Sequence, residues 1–219
     1  TIGENAFKHH KISSIIIPNS VTTIEFSAFE DCTELKSISI PNSVTTIGSY
    51  AFCSCSSMTS VNIGKGTTSI STYAPFGGCP LSSLTVDPEN PVYDSRDNCN
   101  ALIQTATNTL LFGFKSTIIP NTVTTIANSA FQSCADLTAI TIPNSVTTIL
   151  GWAFVECPNL TSVSIGSGVT KIDANSFDFN NTTANLKYVR VLGTTPPTLV
   201  SDAFSSTTFS EGTLYVPKG

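Results

Sequence analysis

The chain has 219 residues, a net charge of −5 and a pI near 4.8. Charged residues make up 11% of it, well below the usual quarter or so, and serine, threonine and asparagine supply the polarity instead. The acidic balance and the ten scattered basic residues argue against binding to nucleic acid. No apolar run approaches the roughly 20 residues that a membrane-spanning helix needs, so we expect no membrane insertion.

One eight-residue segment of sequence I-P-N-S/T-V-T-T-I recurs along the chain. Its strict copies begin at Ile17, Ile40, Ile119 and Ile142, and weaker copies begin at Ile63 and Ile165. The isoleucines that close the six copies lie at positions 24, 47, 70, 126, 149 and 172, so every step is 23 residues except one of 56. A period of about 20–29 residues is typical of solenoids of leucine-rich type. In such folds each unit buries its apolar side only against its neighbours.

Each repeat contains a short strand followed by two further sides of a coil. In the copy at Leu35–Ile40, serines alternate with inward isoleucines at period two, which predicts a strand with one buried face. Pro41 follows the strand, where a missing N–H does least harm. Ala51-Phe52 and Cys55 lie at helical spacing, which predicts one short turn of α- or 3₁₀-helix. Each coil is therefore expected to be triangular.

The full repeat reads I-G-x-x-A-F-x-x-C-x-x-L-x-x-I-x-I-P-N-S-V-T-x-I and covers nearly the whole chain. It resembles the BspA-like class of leucine-rich repeat. The resemblance implies a right-handed superhelix of mostly parallel β structure with short helical turns. It also implies a protein that is secreted or attached to the surface of an anaerobic bacterium. Because some members are adhesins, it further implies binding to a host protein or glycan.

The repeat predicts one solenoid over residues 1–219, with an insertion at residues 87–116 that accounts for the long step. The insertion begins with the turn-rich Asp87–Pro91. Residues 101–104 and 110–114 are predicted to form a β-hairpin with its turn at Thr107-Asn108. We attribute the acidic residues of the insertion to turn chemistry, since their spacing fits no EF-hand; a calcium site is the alternative.

The two ends of the sequence both fall inside the repeat pattern. The chain opens at Thr1-Ile2 within a repeat, and a last strand is predicted at residues 214–217. No signal peptide is present, so we expect a processed or excised piece whose signal and anchor lie outside this sequence.

Five of the seven cysteines lie three residues after the repeat phenylalanine. They are Cys32, Cys55, Cys79, Cys134 and Cys157. A side chain that recurs at one place in every coil forms a ladder, and we expect small buried thiols that serve the turn. The spacing of the coils leaves disulfides open, although parallel stacked side chains seldom reach the required dihedral angle. A metal site is the other alternative. His10 and Asn180 occupy the ladder position in the first and last units.

Candidate ligand-binding residues form two groups. The first consists of aromatic residues two or three places after the repeat isoleucine, on the outside of the coil: Phe26, Tyr50, Tyr73 and Trp152. The first three come from consecutive coils and are expected to form one exposed aromatic strip, the alternative being that each ring covers its own loop. The second group is Lys187, Tyr188 and Arg190, at one end of a strand face that is otherwise a field of hydroxyls.

Nothing in the sequence points to catalysis. We find no glycine-rich phosphate loop, nucleophile elbow or metal-ligand spacing, and no carboxylate pair of the glycosidase kind stands out. The adjacent His9 and His10 are interpreted as part of a solvated turn. We therefore expect no enzyme, no metal and no cofactor. Two functions remain open: a surface module that binds extracellular protein or glycan, and a structural spacer or stalk that presents another domain.

Overall fold

The structure is a computed structural model that describes residues 1–178 and 186–204, and the backbone of residues 213–215. It divides into two compact units, Thr1–Ala106 and Thr107–Gly219, which we call the N-terminal and C-terminal units. Both are built from parallel β coils, so the predicted class of repeat solenoid is confirmed. A single solenoid over residues 1–219 stays a prediction.

The N-terminal unit contains two parallel sheets of three strands each, one strand from each of three successive coils. Its strands are β1 (Thr23–Ile24), β2 (Ser37–Ile40), β3 (Thr46–Ile47), β4 (Ser60–Ile63), β5 (Ser69–Ile70), β6 (Ser83–Val86), β7 (Tyr93–Asp94) and β8 (Ala101–Gln104). The short strands pair in the order β1-β3-β5 and the longer ones in the order β2-β4-β6. Both sheets are in register by one repeat: Ile24 pairs with Ile47, and Ile38 with Val61. In the insertion, β7 pairs with β8 in antiparallel fashion.

The C-terminal unit repeats this arrangement. Its strands are β9 (Thr109–Gly113), β10 (Thr125–Ile126), β11 (Ala139–Ile142), β12 (Thr148–Ile149), β13 (Ser162–Ile165), β14 (Lys171–Ile172), β15 (Tyr188–Val191), β16 (Thr198–Leu199) and β17 (Thr213–Tyr215). Strands β9, β10, β12, β14 and β16 form one parallel sheet, and β11, β13, β15 and β17 form the other. Both strands predicted in the insertion exist, as β8 and β9, while their pairing as a hairpin stays a prediction.

The longer strands follow the alternation in the sequence. In β2, Ile38 and Ile40 are buried and Ser37 and Ser39 are exposed, because successive side chains point to opposite faces of a strand. The last predicted strand is present as β17, but Val216 lies outside the described residues.

The third side of the coil differs from its prediction, since hydrogen-bonded turns replace the expected helix. Between Ser27 and Cys32, N–H groups alternate between two acceptors. The Cys32 N–H donates to the Phe29 carbonyl three residues back (3.2 Å), whereas the Phe29 N–H donates to the Ala51 carbonyl of the next coil (2.7 Å). The φ angles of Ser27 (51°) and Asp31 (57°) are left-handed and interrupt any helix. Within the described part of the chain, the only helix is a 3₁₀ helix at Arg96–Asn98.

The repeat phenylalanines stack with nearly parallel ring planes through the core of each unit. In the N-terminal unit, the ring centroids of Phe29 and Phe52 are 5.1 Å apart with planes 2° apart. In the C-terminal unit, those of Phe154 and Phe177 are 4.9 Å apart with planes 5° apart. All four rings are fully buried. Stacked pairs of this kind add about 0.5–1.5 kcal/mol each beyond the burial of their area.

The glycines in the weaker repeat copies have a packing cause. A Cβ atom on Gly66 would clash with the carbonyl oxygen of Asn42, one coil back, and one on Gly168 would clash with that of Asn144. The side chain of Asn42 also accepts a hydrogen bond from the Lys65 N–H at 2.9 Å. The main chain of the preceding coil lies close at these two positions, so glycine avoids a clash there.

Candidate functional site

The aromatic strip of the N-terminal unit is formed in part. The rings of Phe26 and Tyr50 meet edge to face, with centroids 5.8 Å apart and planes at 82°. Tyr73 lies on the next coil, where its carbonyl accepts a hydrogen bond from the Tyr50 N–H at 3.0 Å. The exposed fractions are 44% for Phe26, 38% for Tyr50 and 69% for Tyr73. All three side chains therefore present apolar surface to solvent.

Two of the candidate aromatics have a left-handed backbone. The φ angle is 55° at both Tyr50 and Trp152, a region that bulky side chains rarely adopt. Other coils place serine or asparagine at this position, such as Ser27, Ser129 and Asn175. Because Trp152 is 52% exposed, burial does not offset the cost of this conformation. Repeat packing therefore does not explain why an aromatic residue stands there.

In the C-terminal unit, Lys187, Tyr188 and Arg190 are all exposed. Tyr188 and Arg190 lie on the outward face of β15, opposite Ser162 and Ser164 of β13, while Val189 between them is buried. We call Lys187, Tyr188 and Arg190 the β15 patch. The aromatic strip belongs to the N-terminal unit and the β15 patch to the C-terminal unit.

Threonines that directly precede a strand donate hydrogen bonds to the preceding coil. The hydroxyls of Thr45, Thr147 and Thr170 donate to main-chain carbonyls one repeat back at 3.1–3.2 Å. The Thr161 hydroxyl does the same at 3.0 Å, to the Thr138 carbonyl. These hydroxyls serve stacking, which explains their repetition without any ligand.

The cysteine ladder also bonds from coil to coil. Thiols donate to the carbonyl of the phenylalanine one coil back, at 3.0–3.2 Å in the four cases of Cys32, Cys55, Cys79 and Cys157. All seven cysteines are free, and five of them are buried. Each of these thiols thus donates a hydrogen bond to a main-chain carbonyl on the turn side of the preceding coil. Asn180, at the same repeat position, lies outside the described residues.

Burial changes the acidity of these thiols. It raises the pKa of Cys32 and that of Cys134 to about 11, and it raises the pKa of Cys157 further. The pKa of Cys79 is also raised, first by its contact with the Cys55 thiol and then by burial. The hydrogen bond with Cys79 instead lowers the pKa of Cys55. Since the thiolate is the nucleophile and the metal ligand, the four ladder thiols with a raised pKa are poorly suited to either role near neutral pH.

Sequence reasoning missed a set of side chains in the insertion that cap the open edge of the N-terminal unit. Parallel strands leave every second N–H directed toward the next coil. At this edge, three of these N–H groups donate to side-chain oxygens of the insertion. The Ile70 N–H donates to Tyr93 Oη (3.1 Å), the Leu84 N–H to Asn100 Oδ1 (2.7 Å) and the Val86 N–H to Ser95 Oγ (3.0 Å). The only sequence signal was the departure of residues 87–116 from the repeat. The insertion therefore satisfies the edges of β5 and β6.

The acidic residues of the insertion make local contacts. Asp94 receives the guanidinium of Arg96 at 2.6 Å and the Thr105 hydroxyl at 2.8 Å. Burial raises the pKa of Asp94, but the hydrogen bonds from Arg96 outweigh it and hold that pKa below its usual value. Glu89 pairs with Lys65 at 2.7 Å. No group of three or more His, Cys, Asp or Glu side chains could hold a metal ion within the described residues.

Sequence reasoning also missed two exposed isoleucines at one repeat position. Ile16 is 91% exposed and Ile118 is 77% exposed. Each stands two residues before the repeat proline, between two apolar or β-branched residues, at a position where the side chain points out of the coil. That orientation could have been predicted from the alternation of inward and outward residues.

At the first coil, His9 approaches Asp31 with 3.1 Å between Nδ1 and Oδ2, both partly exposed, as expected of a solvated turn.

A family model described as a BspA type leucine rich repeat region matches six copies, over residues 1–99 and 110–215. The chain belongs to the BspA-type leucine-rich repeat family. No protein of curated function matches it. Within the described residues, no helix has the length and apolar character needed to cross a membrane.

Solved structures of bacterial leucine-rich repeat proteins are similar to this BspA-type chain. The pneumococcal vaccine antigen PcpA has 17% identity and a TM-score of 0.62, with 94% of this chain and 66% of that chain covered. A leucine rich cell surface protein from Faecalibacterium prausnitzii has 24% identity and a TM-score of 0.49, with 89% and 63% covered. A leucine-rich repeat protein from Bacteroides ovatus has 18% identity and a TM-score of 0.48, with 99% and 63% covered. The likeness to the pneumococcal antigen is one of fold, and the chain spans less than two thirds of each of these proteins.

Proposed function

We propose that this chain is a secreted or cell-surface binding module of a bacterium, which adheres to or recognises an extracellular protein or glycan. Its membership of the BspA-type family supports this role, as does the description of a similar structure as a cell surface protein. The role uses no catalytic group and no cofactor, since the recurring polar residues serve stacking.

The observation that carries the proposal is the pair of exposed aromatics on left-handed backbone, Tyr50 and Trp152. A left-handed conformation costs an ordinary residue about 1–2 kcal/mol, and asparagine tolerates it best after glycine. A chain selected only for stacking would keep serine or asparagine, as at Ser27 and Asn175. Exposed aromatic rings are anchors for sugars and proteins, because they supply contact area at low entropic cost.

The experiment replaces each aromatic with the residue type of the neighbouring coils. The whole chain is screened on arrays of matrix proteins and glycans, and affinity for any ligand found is then measured. Tyr50→Asn and Trp152→Asn, combined, are expected to leave the melting temperature unchanged or higher and to weaken binding at least tenfold. Ile118→Ala, which removes a different exposed apolar side chain, is the control. Unchanged affinity in the asparagine variant contradicts the assignment of these residues.

The second candidate function is a spacer or stalk that presents another domain. The commitment of threonine hydroxyls and cysteine thiols to neighbouring coils favours it, because those contacts build a stack and nothing more. An intact, folded chain that binds no ligand on either array supports this role over recognition.

A further inference from the structure

The β15 patch changes the character of an otherwise small-residue sheet face. In β11 and β13 the outward positions are Ala139, Thr141, Ser162 and Ser164. In β15 the positions in register carry Tyr188 and Arg190, and Lys187 precedes them. A low floor two strands wide, about 10 Å at 4.8 Å per strand, therefore ends at one aromatic and two cationic side chains.

The charges of the patch are not used within the described part of the chain. Two other lysines of the C-terminal unit are paired, Lys115 with Asp136 at 3.4 Å and Lys171 with Asp173 at 2.7 Å. Lys187 and Arg190 have no carboxylate within ion-pair distance among the described residues. The four strands of this sheet contain no Asp or Glu at all. Two cations without an ion-pair partner among the described residues, in a chain of net charge −5, favour an anionic ligand.

The shape of the face favours a sugar over a folded protein. Tyr188 is 54% exposed, so its ring offers an apolar surface beside the two cations. The half-buried Ser162 and Ser164 supply hydroxyls on the floor. Protein partners usually insert an aromatic or aliphatic anchor into a pocket, whereas small side chains make this floor flat. A pyranose ring can lie flat on tyrosine while its carboxylate reaches arginine or lysine.

We propose that the β15 patch and the floor of β11 and β13 bind acidic glycans, meaning sugars that carry a carboxylate. Arg190 and Lys187 hold the carboxylate, and Tyr188 packs against the sugar ring. Ser162 and Ser164 bond to its hydroxyls. This inference rests on the general binding role proposed above and goes beyond it, because it assigns a further surface and the ligand class of that surface.

The test compares acidic sugars with neutral partners of the same size, using the whole chain. The probes are 3′-sialyllactose against lactose and a galacturonate hexamer against maltohexaose, titrated at low ionic strength. We expect at least one acidic probe to bind at least tenfold more tightly than its neutral partner. That binding should weaken as salt is added. The two acidic probes distinguish a sialate from a uronate source.

Three variants locate the site. The double variant Lys187→Ala with Arg190→Ala, and separately Tyr188→Ala, are expected to weaken binding of the acidic probe at least tenfold. Lys171→Ala, which removes an exposed cation of the same unit outside this face, is expected to change it less than twofold. All four replaced side chains are exposed, so the substitutions leave the core intact, and a melting curve verifies that each variant folds.

Each alternative result overturns the proposal. Equal affinity for acidic and neutral sugars would show that charge plays no part in binding. Wild-type affinity in the double variant would show that the acidic sugar does not bind at the β15 patch. If a glutamate-rich peptide binds through the same residues and the acidic sugars do not, the ligand class is wrong. When acidic sugars fail but an array ligand binds through Tyr50 and Trp152, only this inference falls. When nothing binds, the proposed function falls with it.

Discussion

Removing one hydroxyl oxygen from the cap of the N-terminal unit tests the stacking argument with the least disturbance. Tyr93 is 6% exposed, and its hydroxyl accepts the Ile70 N–H at 3.1 Å. Tyr93→Phe keeps the ring and its packing but leaves that buried N–H without an acceptor. An unsatisfied buried donor costs about 1–3 kcal/mol. For a chain of this size each kcal/mol lowers the melting temperature by about 2–4 °C, so a fall of roughly 2–12 °C is expected.

The assay is urea unfolding followed by circular dichroism, with thermal melting beside it. Tyr73→Phe is the matched control, because the same atom is removed from a tyrosine that is 69% exposed, and its stability should change by less than about 0.5 kcal/mol. The midpoint should shift with an unchanged slope, since the exposed surface area does not change. If both variants have the same midpoint, the Tyr93 hydroxyl does not cap the edge and the role given to the insertion is wrong.

Two further predictions concern the close contacts between coils. Gly66→Ala should destabilise the chain by about 1–3 kcal/mol in the same unfolding assay, because its methyl group meets the main chain one coil back. Gly3→Ala, whose nearest neighbour lies 3.9 Å away, should not, and equal effects would disprove the packing cause. Burial raises the pKa of Cys32 and that of Cys134 from 9.0 to about 11. The unfolded chain loses these protons first as the pH rises, so this stabilisation is complete below about pH 9 and lost toward pH 11. Melting curves should show the loss, and Cys32→Ala with Cys134→Ala should reduce it; an equally steep loss in that variant would contradict the reasoning.

The repeat in the sequence was enough to predict the coils and the register of their strands. Ile38 and Ile40 alternate with serines, and a strand with that alternation can bury only one face. Because identical units must stack to bury that face, a step of 23 residues also sets which residues pair, as Ile24 with Ile47 shows. The turn side was mispredicted. The spacing of Ala51, Phe52 and Cys55 is compatible with a helix, but hydrogen bonds to the next coil compete with helical ones and prevail.

Periodicity determined this protein's fold class and its core, because a short-range pattern that must bury its apolar face has few solutions. Only the tertiary structure decided which departures from the pattern matter. It showed that Gly66 avoids a clash, that Tyr93 and Asn100 complete a strand edge, and that Tyr50 holds a left-handed backbone while exposed. Those roles depend on what lies one coil away, at distances in space that a linear sequence does not contain.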